Sequence, residues 1–180
     1  MNYMIASDIH GSPECLKKSL SYKDTFSAKK IILLGDLYYS GARNIPPVDF
    51  SPKEVVSILN SIAKDLIVVK GNCESDVDLM VSNFPITENA YLNIFDKDIF
   101  LTHGHKYSFE NLPNFNFDIF IQGHTHISKI EKVNNKLLLN PGSITLPKDD
   151  NHSFIILNEK KVIVYDLYTL QKLKEGMYDR

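Results

Sequence analysis

The sequence predicts an α/β fold in which two packed β-sheets form a two-layer β-sandwich flanked by helices. Two observations predict it. Up to Gly71, short apolar runs alternate with segments of helical period, which is typical of strand-then-helix units. After Tyr91, apolar runs follow one another with only turn residues between them, which is typical of strands joined by hairpins. We therefore expect two sheets with helices on their outer faces.

Three strand-then-helix units are predicted in the first part of the chain. The strands are the apolar runs at residues 3–6, 31–34 and 66–69. A helix begins after Ser12, because Pro13 and Glu14 have the residue types that favour a first helical turn. A second begins at Ser51 and Pro52, and apolar residues repeat behind them at helical spacing. Units of this kind predict a mainly parallel sheet.

The second part of the chain is predicted to consist of consecutive strands. They are residues 91–95, 99–102, 119–122, 127–133, 137–140, 154–157 and 162–165, with a final strand near 170–173. Asp and Asn residues between the paired runs favour tight turns. No repeat or linker-like segment divides the sequence, so residues 1–180 are expected to form one domain.

Composition excludes several classes of protein. Hydrophobic residues make up 43% and charged residues 23% of the 180 residues, which is globular rather than disordered composition. The net charge of −2, without any basic block, is not that of a general nucleic-acid binder. Cys15 and Cys73 are too few for a disulfide framework and suit a reducing compartment. Since neither a membrane-spanning apolar run nor a signal peptide is present, we expect a cytoplasmic protein with no membrane attachment.

Side chains that bind metals recur just after the apolar runs. They are Asp8, His10, Asp36, Asn72, His103, His105, His124 and His126. Ligands of open α/β sheets bind beyond the carboxyl ends of the strands, so five such ends predict one cleft. Each motif alone is typical of a turn or of a buried histidine. Their combination favours a metal centre.

The motifs, taken in order, resemble those of the calcineurin-like metallophosphoesterases. They are Asp-x-His, Gly-Asp, Gly-Asn, Thr-His-Gly-His and Gly-His-Thr-His, and the resemblance extends from Asp8 to Ser143. Residues 41–44, 71–75, 101–105 and 140–143 are similar to the bacterial YfcE-type phosphodiesterase branch. The resemblance implies a β-sandwich with flanking helices, in agreement with the pattern of elements, and a dinuclear metal site.

Carried over position by position, the resemblance implies two metal sites that share Asp36. The first would consist of Asp8, His10, Asp36 and His126. The second would consist of Asp36, Asn72, His103 and His124. Imidazole and carboxylate ligands without thiolate suit divalent transition metal ions. We therefore expect two such ions per chain, with manganese preferred over iron, zinc or nickel.

The expected reaction is hydrolysis of a small phosphate diester. Two divalent ions, two aspartates and a hydroxide bridging the ions leave the site near +1, which matches the single negative charge of a diester. Direct attack of that hydroxide needs no covalent enzyme intermediate. Asp36, Asn72 and His103 are the catalytic residues that we expect.

One position departs from the broad family, in which many members have His after Gly-Asn. That His is thought to protonate the leaving oxygen, and here the position is Cys73, as it also is in the similar branch. Cys73 could pack as a small residue or act as an acid or redox-sensitive thiol. His105 could be an alternative acid or support the metal site. Arg43 could bind a phosphate or cap a subunit contact. The expected substrate-binding residues are Arg43, Asn72, Cys73 and His105.

Three alternative functions are consistent with this family. A phosphomonoesterase, such as a nucleotidase or protein phosphatase, is disfavoured by Cys73. A non-catalytic scaffold is suggested by one retromer subunit that uses this fold to bind protein partners, and the complete ligand set disfavours it. A nuclease would need a basic stripe that the sequence lacks. The resemblance also suggests a homo-oligomer.

Overall fold

The computed structural model describes residues 1–178 and contains four α-helices, a 3-10 helix and twelve strands in that range. The helices are α1 (Pro13–Leu20), α2 (Tyr22–Thr25), α3 (Pro52–Ser61) and α4 (Asp76–Val81), and the 3-10 helix is Ala63–Asp65. The strands are β1 (Asn2–Ala6), β2 (Ala28–Leu33), β3 (Leu66–Val69), β4 (Ile86–Thr87), β5 (Asn89–Ile94), β6 (Lys97–Thr102), β7 (Ile119–Ile121), β8 (Ser128–Val133), β9 (Lys136–Pro141), β10 (Ser153–Asn158), β11 (Lys161–Asp166) and β12 (Lys172–Met177).

The strands form two sheets, as the sequence predicts. A seven-stranded sheet has the order β12-β11-β10-β1-β2-β3-β4, and a five-stranded sheet has the order β5-β6-β7-β9-β8. The larger sheet is mixed rather than mainly parallel. Strands β1 to β4 pair in parallel, whereas β10 pairs antiparallel with β1 and continues into antiparallel β11 and β12. The difference arises because the last three strands form a meander that adds to the sheet through the pairing of β10 with β1.

Alternate residues of the central strands contribute to two separate cores. Ile5 and Ile32 belong to the core between the two sheets, where Leu101 and Ile121 of the smaller sheet meet them. Met4 and the other side of β2 pack instead against α1, α2 and α3. This alternation is the period of two that a strand imposes on its side chains. The two-layer β-sandwich is therefore confirmed.

Helices cover the outer face of the larger sheet, but aromatic residues cover that of the smaller one. Phe100, Phe117 and Phe120 form a third cluster there, against which Tyr107 and Phe109 pack. The expectation of helices on both outer faces is wrong for this sheet in the part of the chain that is described. The loop between β6 and β7 is rich enough in aromatic residues to bury the face without a helix.

The sequence analysis misplaced the start of the last strand and missed several short elements, namely α2, the 3-10 helix, α4 and β4. The last strand begins at Lys172 rather than near 170, because Leu170 adopts a left-handed φ of 56° at the end of a turn. Helix α4 was not predicted, although Ser75 and Asp78 form a capping box at its start. No helix among residues 1–178 has the length and apolarity needed to cross a membrane.

Candidate active site

The predicted site residues follow the carboxyl ends of five strands, at one edge of the sandwich. Asp8 and His10 follow β1, Asp36 follows β2, Asn72 follows β3, His103 follows β6, and His124 and His126 follow β7. Strands β1, β2 and β3 are parallel to one another, as are β6 and β7, so each set ends at a common edge. The fold therefore brings together all seven residues that the resemblance implies as ligands.

The backbone at this edge is unusually often left-handed. The residues Asp8, His10, Asp36, His124 and His126 have φ values of 58°, 48°, 52°, 67° and 60°. Non-glycine residues rarely adopt this region, and such conformations cluster at functional sites. Each residue turns the chain sharply so that its side chain points inward beyond the strand end.

Two glycines allow the loops after β2 and β3 to touch. A Cβ on Gly35 would lie 2.4 Å from the nitrogen of Gly71. A Cβ on Gly71 would lie 2.2 Å from Oδ1 of Asp36. Both distances are far shorter than van der Waals contact, so any larger residue would force Asp36 and Asn72 apart.

A first group of acceptor atoms is formed by Asp8, His10 and His126. The Nδ1 atoms of the two histidines donate to the carbonyl oxygens of Tyr39 and Leu146, at 2.7 and 2.6 Å. Their Nε2 atoms therefore carry lone pairs, yet lie 3.1 Å apart. Oδ1 of Asp8 lies 3.2 Å from Nε2 of His126, and it is buried with no hydrogen-bond donor. Facing acceptors of this kind fit a bound cation.

A second group is formed by Asn72, His103 and His124. Nδ1 of His103 donates to the carbonyl oxygen of Leu34 at 2.6 Å, so Nε2 carries the lone pair when the imidazole is neutral. That Nε2 lies 3.1 Å from Oδ1 of Asn72 and 3.1 Å from Nδ1 of His124. Imidazole nitrogens and a carboxamide oxygen are atoms that bind divalent metal ions, so this group also fits a metal ion.

Asp36 lies between the two groups. Its Oδ2 is 3.5 Å from Nε2 of His103 and 4.0 Å from Nε2 of His10. Its Oδ1 accepts a hydrogen bond of 2.9 Å from the backbone N–H of Cys73. One carboxylate oxygen is thus available to both groups, while the other fixes its orientation.

Charge and burial act in opposition on these side chains. Burial disfavours the charged form of Asp8, but its contacts with His10 and His126 hold the pKa of that carboxyl well below its usual range. Burial also opposes protonation of His103, yet Asp36 and Asp8 raise its pKa to about 9. A proton and a metal ion would therefore compete for the same Nε2.

Glu74 joins the loops after β2 and β3, and its role was not evident from the sequence. Its buried carboxylate accepts hydrogen bonds from the backbone N–H groups of Asp36 (3.0 Å), Leu37 (2.6 Å) and Gly71 (2.5 Å). Burial and the nearby Asp36 raise the pKa of Glu74 to about 7, while the three donors favour its ionised form. Glu74 therefore fixes the position of Asp36 relative to Asn72.

The loop after β9 supports the site from the opposite side. The hydroxyl of Ser143 donates to the carbonyl oxygen of Asp8 at 2.8 Å and accepts from the N–H of Leu146. The amide of Asn140 donates to the carbonyl oxygen of Gly123 at 2.8 Å. These bonds connect the loops after β1, β7 and β9. The polar side chains of residues 140–143 therefore hold the loops of the site in position.

A cleft of about 850 Å³ opens above Asp36. It is lined by Asp36, Tyr39, Ser40, Gly41, Ala42, Arg43, Asn44, Asn72, Cys73, His124, Thr125, His126, Ile127 and Lys148. Of the predicted substrate-binding residues, Arg43, Asn72 and Cys73 line this cleft. His105 lines a smaller depression with Lys70 and Lys106, and Asn72 borders both spaces.

Cys73 is a half-buried, neutral thiol. Burial and the neighbouring carboxylates raise its pKa to about 12. Its Sγ accepts a weak hydrogen bond from the amide of Asn72 at 3.3 Å. Gly41 packs against it so closely that a Cβ there would lie 3.1 Å from Sγ. These contacts favour the packing role over that of an acid.

Lys148 was also not singled out from the sequence. Its backbone N–H donates to the carbonyl oxygen of His126 at 2.9 Å, which places the residue at the cleft beside the Gly-His-Thr-His loop. No local motif marks it, because its position depends on the contact between two loops that are distant in sequence.

Comparison with known proteins agrees with this geometry. The calcineurin-like phosphoesterase superfamily domain matches residues 1–161. Phosphodiesterase YfcE of Escherichia coli strain K12 is 38% identical over 176 residues, which cover 91% of this chain and 96% of that protein.

Solved structures show the same fold. The structure of E. coli YfcE, described as a phosphoesterase, has a TM-score of 0.95 at 34% identity and covers 99% of this chain and 100% of that chain. Vps29 of Entamoeba histolytica, complexed with Zn²⁺, has a TM-score of 0.68 at 23% identity and covers 99% of this chain and 100% of that chain. The likeness to Vps29 shows the fold alone.

Proposed function

The chain belongs to the calcineurin-like phosphoesterase superfamily, and from this premise we infer that it is a metal-dependent phosphodiesterase acting on a small phosphate diester. The observation that carries the inference is the convergence of acceptor atoms around Asp36. Among the described residues, Oδ1 of Asp8 is buried without a hydrogen-bond partner and faces Nε2 of His10 and His126 at 3.6 and 3.2 Å, while Oδ2 of Asp36 faces Nε2 of His103 at 3.5 Å. A bound metal ion would be shared by these oxygen and nitrogen atoms and would satisfy them.

We propose that two divalent ions occupy this centre. Asp8, His10, Asp36 and His126 would hold one ion. Asp36, Asn72, His103 and His124 would hold the other. Three ligands of the first set, Asp8, His10 and His126, already lie close enough together to share an ion. Asp8, Asp36 and His103 form a second close group that joins the two sets. A third consists of His10, Asp36 and Cys73. The mixture of imidazole and carboxylate favours manganese, iron, zinc or nickel, of which manganese is our first choice.

When bound, the ions would neutralise charge on the phosphate and promote ionisation of water at neutral pH. The chain's own groups orient the reaction. Asp36 is held by Glu74 and by the N–H of Cys73, so its shared carboxylate oxygen keeps a fixed direction. The imidazole of His103 is oriented by its bond to the carbonyl oxygen of Leu34, and Asn72 lines the cleft beside it. Hydrolysis adds the oxygen of water to phosphorus, breaks one ester bond and returns a proton to the leaving oxygen.

The cleft favours diesters with good leaving groups. Cys73 stands where many relatives have an imidazole, and its neutral thiol is a poor proton donor. His105 lies on the far side of Asn72, where its ring centroid is 5.5 Å from that of His103. We propose Arg43, Asn72 and Cys73 as residues that contact the substrate and His105 as the candidate acid for the leaving group.

We further propose a cytoplasmic homo-oligomer. Both Cys15 and Cys73 are free thiols, which is consistent with a reducing compartment. Helix α4 exposes Val77 and Met80, at 61% and 84%, and apolar side chains exposed on this scale are typical of contact surfaces. The molar mass of the purified protein in solution, measured by light scattering, tests the oligomer.

The function is tested by a metal-titrated screen of aryl diesters, aryl monoesters and cyclic nucleotides. We expect hydrolysis of bis(4-nitrophenyl) phosphate to exceed that of 4-nitrophenyl phosphate and to require added metal. A preference for the monoester would favour a phosphomonoesterase. No turnover with manganese, iron, zinc or nickel would favour a non-catalytic scaffold and overturn the proposal.

A further inference from the structure

The cleft above the metal centre carries more positive charge than the scissile phosphate requires. Its charged lining residues are Asp36, Arg43 and Lys148. Asp36 is committed to the metal centre. The scissile diester brings one negative charge, which that centre balances by itself. Arg43 and Lys148 therefore add two positive charges for which the diester linkage provides no partner.

Neither the Arg43 nor the Lys148 side chain is bound to another described residue of the protein. In residues 1–178, the side chains of Arg43 and Lys148 take part in no hydrogen bond or ion pair with another residue, and both are exposed. Two acidic residues near them along the chain, Asp49 and Asp149, have partners elsewhere. Asp49 accepts from Ser12, and Asp149 accepts from the N–H of Ser128.

Both residues stand on loops that are braced at the cleft. The amide of Asn44 donates to the carbonyl oxygen of Ser40 at 2.8 Å across the segment that carries Arg43. The N–H of Lys148 is bound to the carbonyl oxygen of His126 at 2.9 Å. The backbone at both residues is held by hydrogen bonds, while the guanidinium and ammonium groups have no partner in the described protein. This arrangement is suited to binding an anion.

We propose that the substrate is a phosphate diester that carries a second phosphate group, and that Arg43 and Lys148 bind this group in the cleft. The proposal rests on the phosphodiesterase function and adds the class of substrate. Both residues are then specificity determinants, because they contact a part of the substrate that does not react. Their contribution falls as ionic strength rises, since exposed charges are screened.

The test uses two substrates that differ only by one phosphate. They are thymidine 5′-(4-nitrophenyl phosphate) and the same compound with an additional 3′-phosphate. We expect kcat/KM to be about tenfold higher for the 3′-phosphorylated substrate, because exposed charge pairs each contribute a factor of about three. Arg43→Gln and Lys148→Gln should each lower this preference about threefold, and Lys148→Arg should restore it.

Lys29→Gln is the matched control. Lys29 is also exposed, but it lies at the amino end of β2, whereas the cleft lies beyond the carboxyl end. The preference should be unchanged in this variant. Equal kcat/KM for the two substrates in the wild-type protein, or a preference that persists in both Arg43→Gln and Lys148→Gln, would overturn the proposal.

A binding measurement separates this proposal from the proposed function. Calorimetry on the metal-free protein compares thymidine 3′,5′-bisphosphate with thymidine 5′-monophosphate. Tighter binding of the bisphosphate, with the preference reduced about threefold in Lys148→Gln, supports the second phosphate site even if neither diester is hydrolysed, in which case the phosphodiesterase function alone fails. Equal affinity overturns the second phosphate site whatever the activity.

Discussion

The two halves of the candidate metal centre differ in burial and in ligand charge. Asp8, His10 and His126 are almost inaccessible, with relative exposures of 0, 0 and 3%. In the other half His103 is equally buried, but Asn72 is exposed and His124 is half-buried. Asn72, His124 and His126 line the cleft. The first half also has its own carboxylate, whereas the second has a neutral carboxamide in that place. A metal ion should therefore bind the first half more tightly, and the second half should meet the substrate.

Asp36→Ala should have the largest effect, because it removes the one carboxylate that both halves share. We expect activity on an aryl diester to fall at least about a thousandfold, which is the scale of losing an electrostatic element of a catalytic site. Metal analysis of the purified variant should show that both ions bind more weakly. If the variant retained two tightly held ions, the assignment of Asp36 to both sites would be wrong.

Removing one histidine from each half tests their difference directly. His126→Ala should empty mainly the buried half, whereas His124→Ala should empty mainly the exposed half. Loss of a ligand costs metal affinity in that half, and the other half keeps its own ligands. The occupancies of the two sites are measured as the metal content after dialysis against a chelator at graded concentrations. Equal loss of both ions in each variant would contradict two separate ligand sets.

The sequence was sufficient to predict which side chains follow the ends of the strands. It was not sufficient to predict the contacts by which the loops support one another. Asp8, Asp36, Asn72 and the histidines stand next to apolar runs, so local pattern located them. The contacts of Glu74 depend on the approach of Gly35 to Gly71, which no local pattern shows. The position of Lys148 likewise depends on a backbone bond to His126 from a distant loop.

Tertiary context also decided one departure in the fold and one in the site. The strand β10 resembles any other apolar run, and only the free edge of β1 determines that it pairs antiparallel there. His105 shares a motif with His103, yet Gly104 at a φ of 118° separates their directions, and His105 lines a different depression. The metal-ligand roles and the substrate contacts stay predictions.

Glu74→Gln should weaken the connection between the halves. An amide cannot accept hydrogen bonds from three backbone N–H groups through both of its terminal atoms, so Asp36 and Asn72 should lose their fixed spacing. We expect metal affinity or kcat to fall about 10- to 100-fold, which is typical of residues that orient ligands. Glu175→Gln on the exposed edge strand β12 is the control and should change neither quantity. Unchanged metal affinity and kcat in Glu74→Gln, with the protein folded, would remove the positioning role.

Substitutions at Cys73 should have the smallest effect on aryl diesters. Cys73→Ser should change kcat less than about twofold if the neutral thiol only packs beside Asn72, since the hydroxyl keeps nearly the same shape at this half-buried position. Cys73→His should help most with leaving groups of high pKa, because general acid catalysis contributes up to about 10²- to 10⁴-fold. The effects of both substitutions are measured as kcat for a series of diesters whose leaving groups differ in pKa. A large loss in Cys73→Ser, with metals still bound, would mean that the thiol takes part in the reaction.

The central claim is that two metal ions share Asp36. It is tested most directly by titrating the metal-free protein with Mn²⁺ while its electron paramagnetic resonance spectrum is recorded. The account predicts two ions per chain, the first bound more tightly than the second, with a spin-coupled spectrum appearing as the second site fills. Binding that stops at one ion per chain, or two ions without spin coupling, would contradict it.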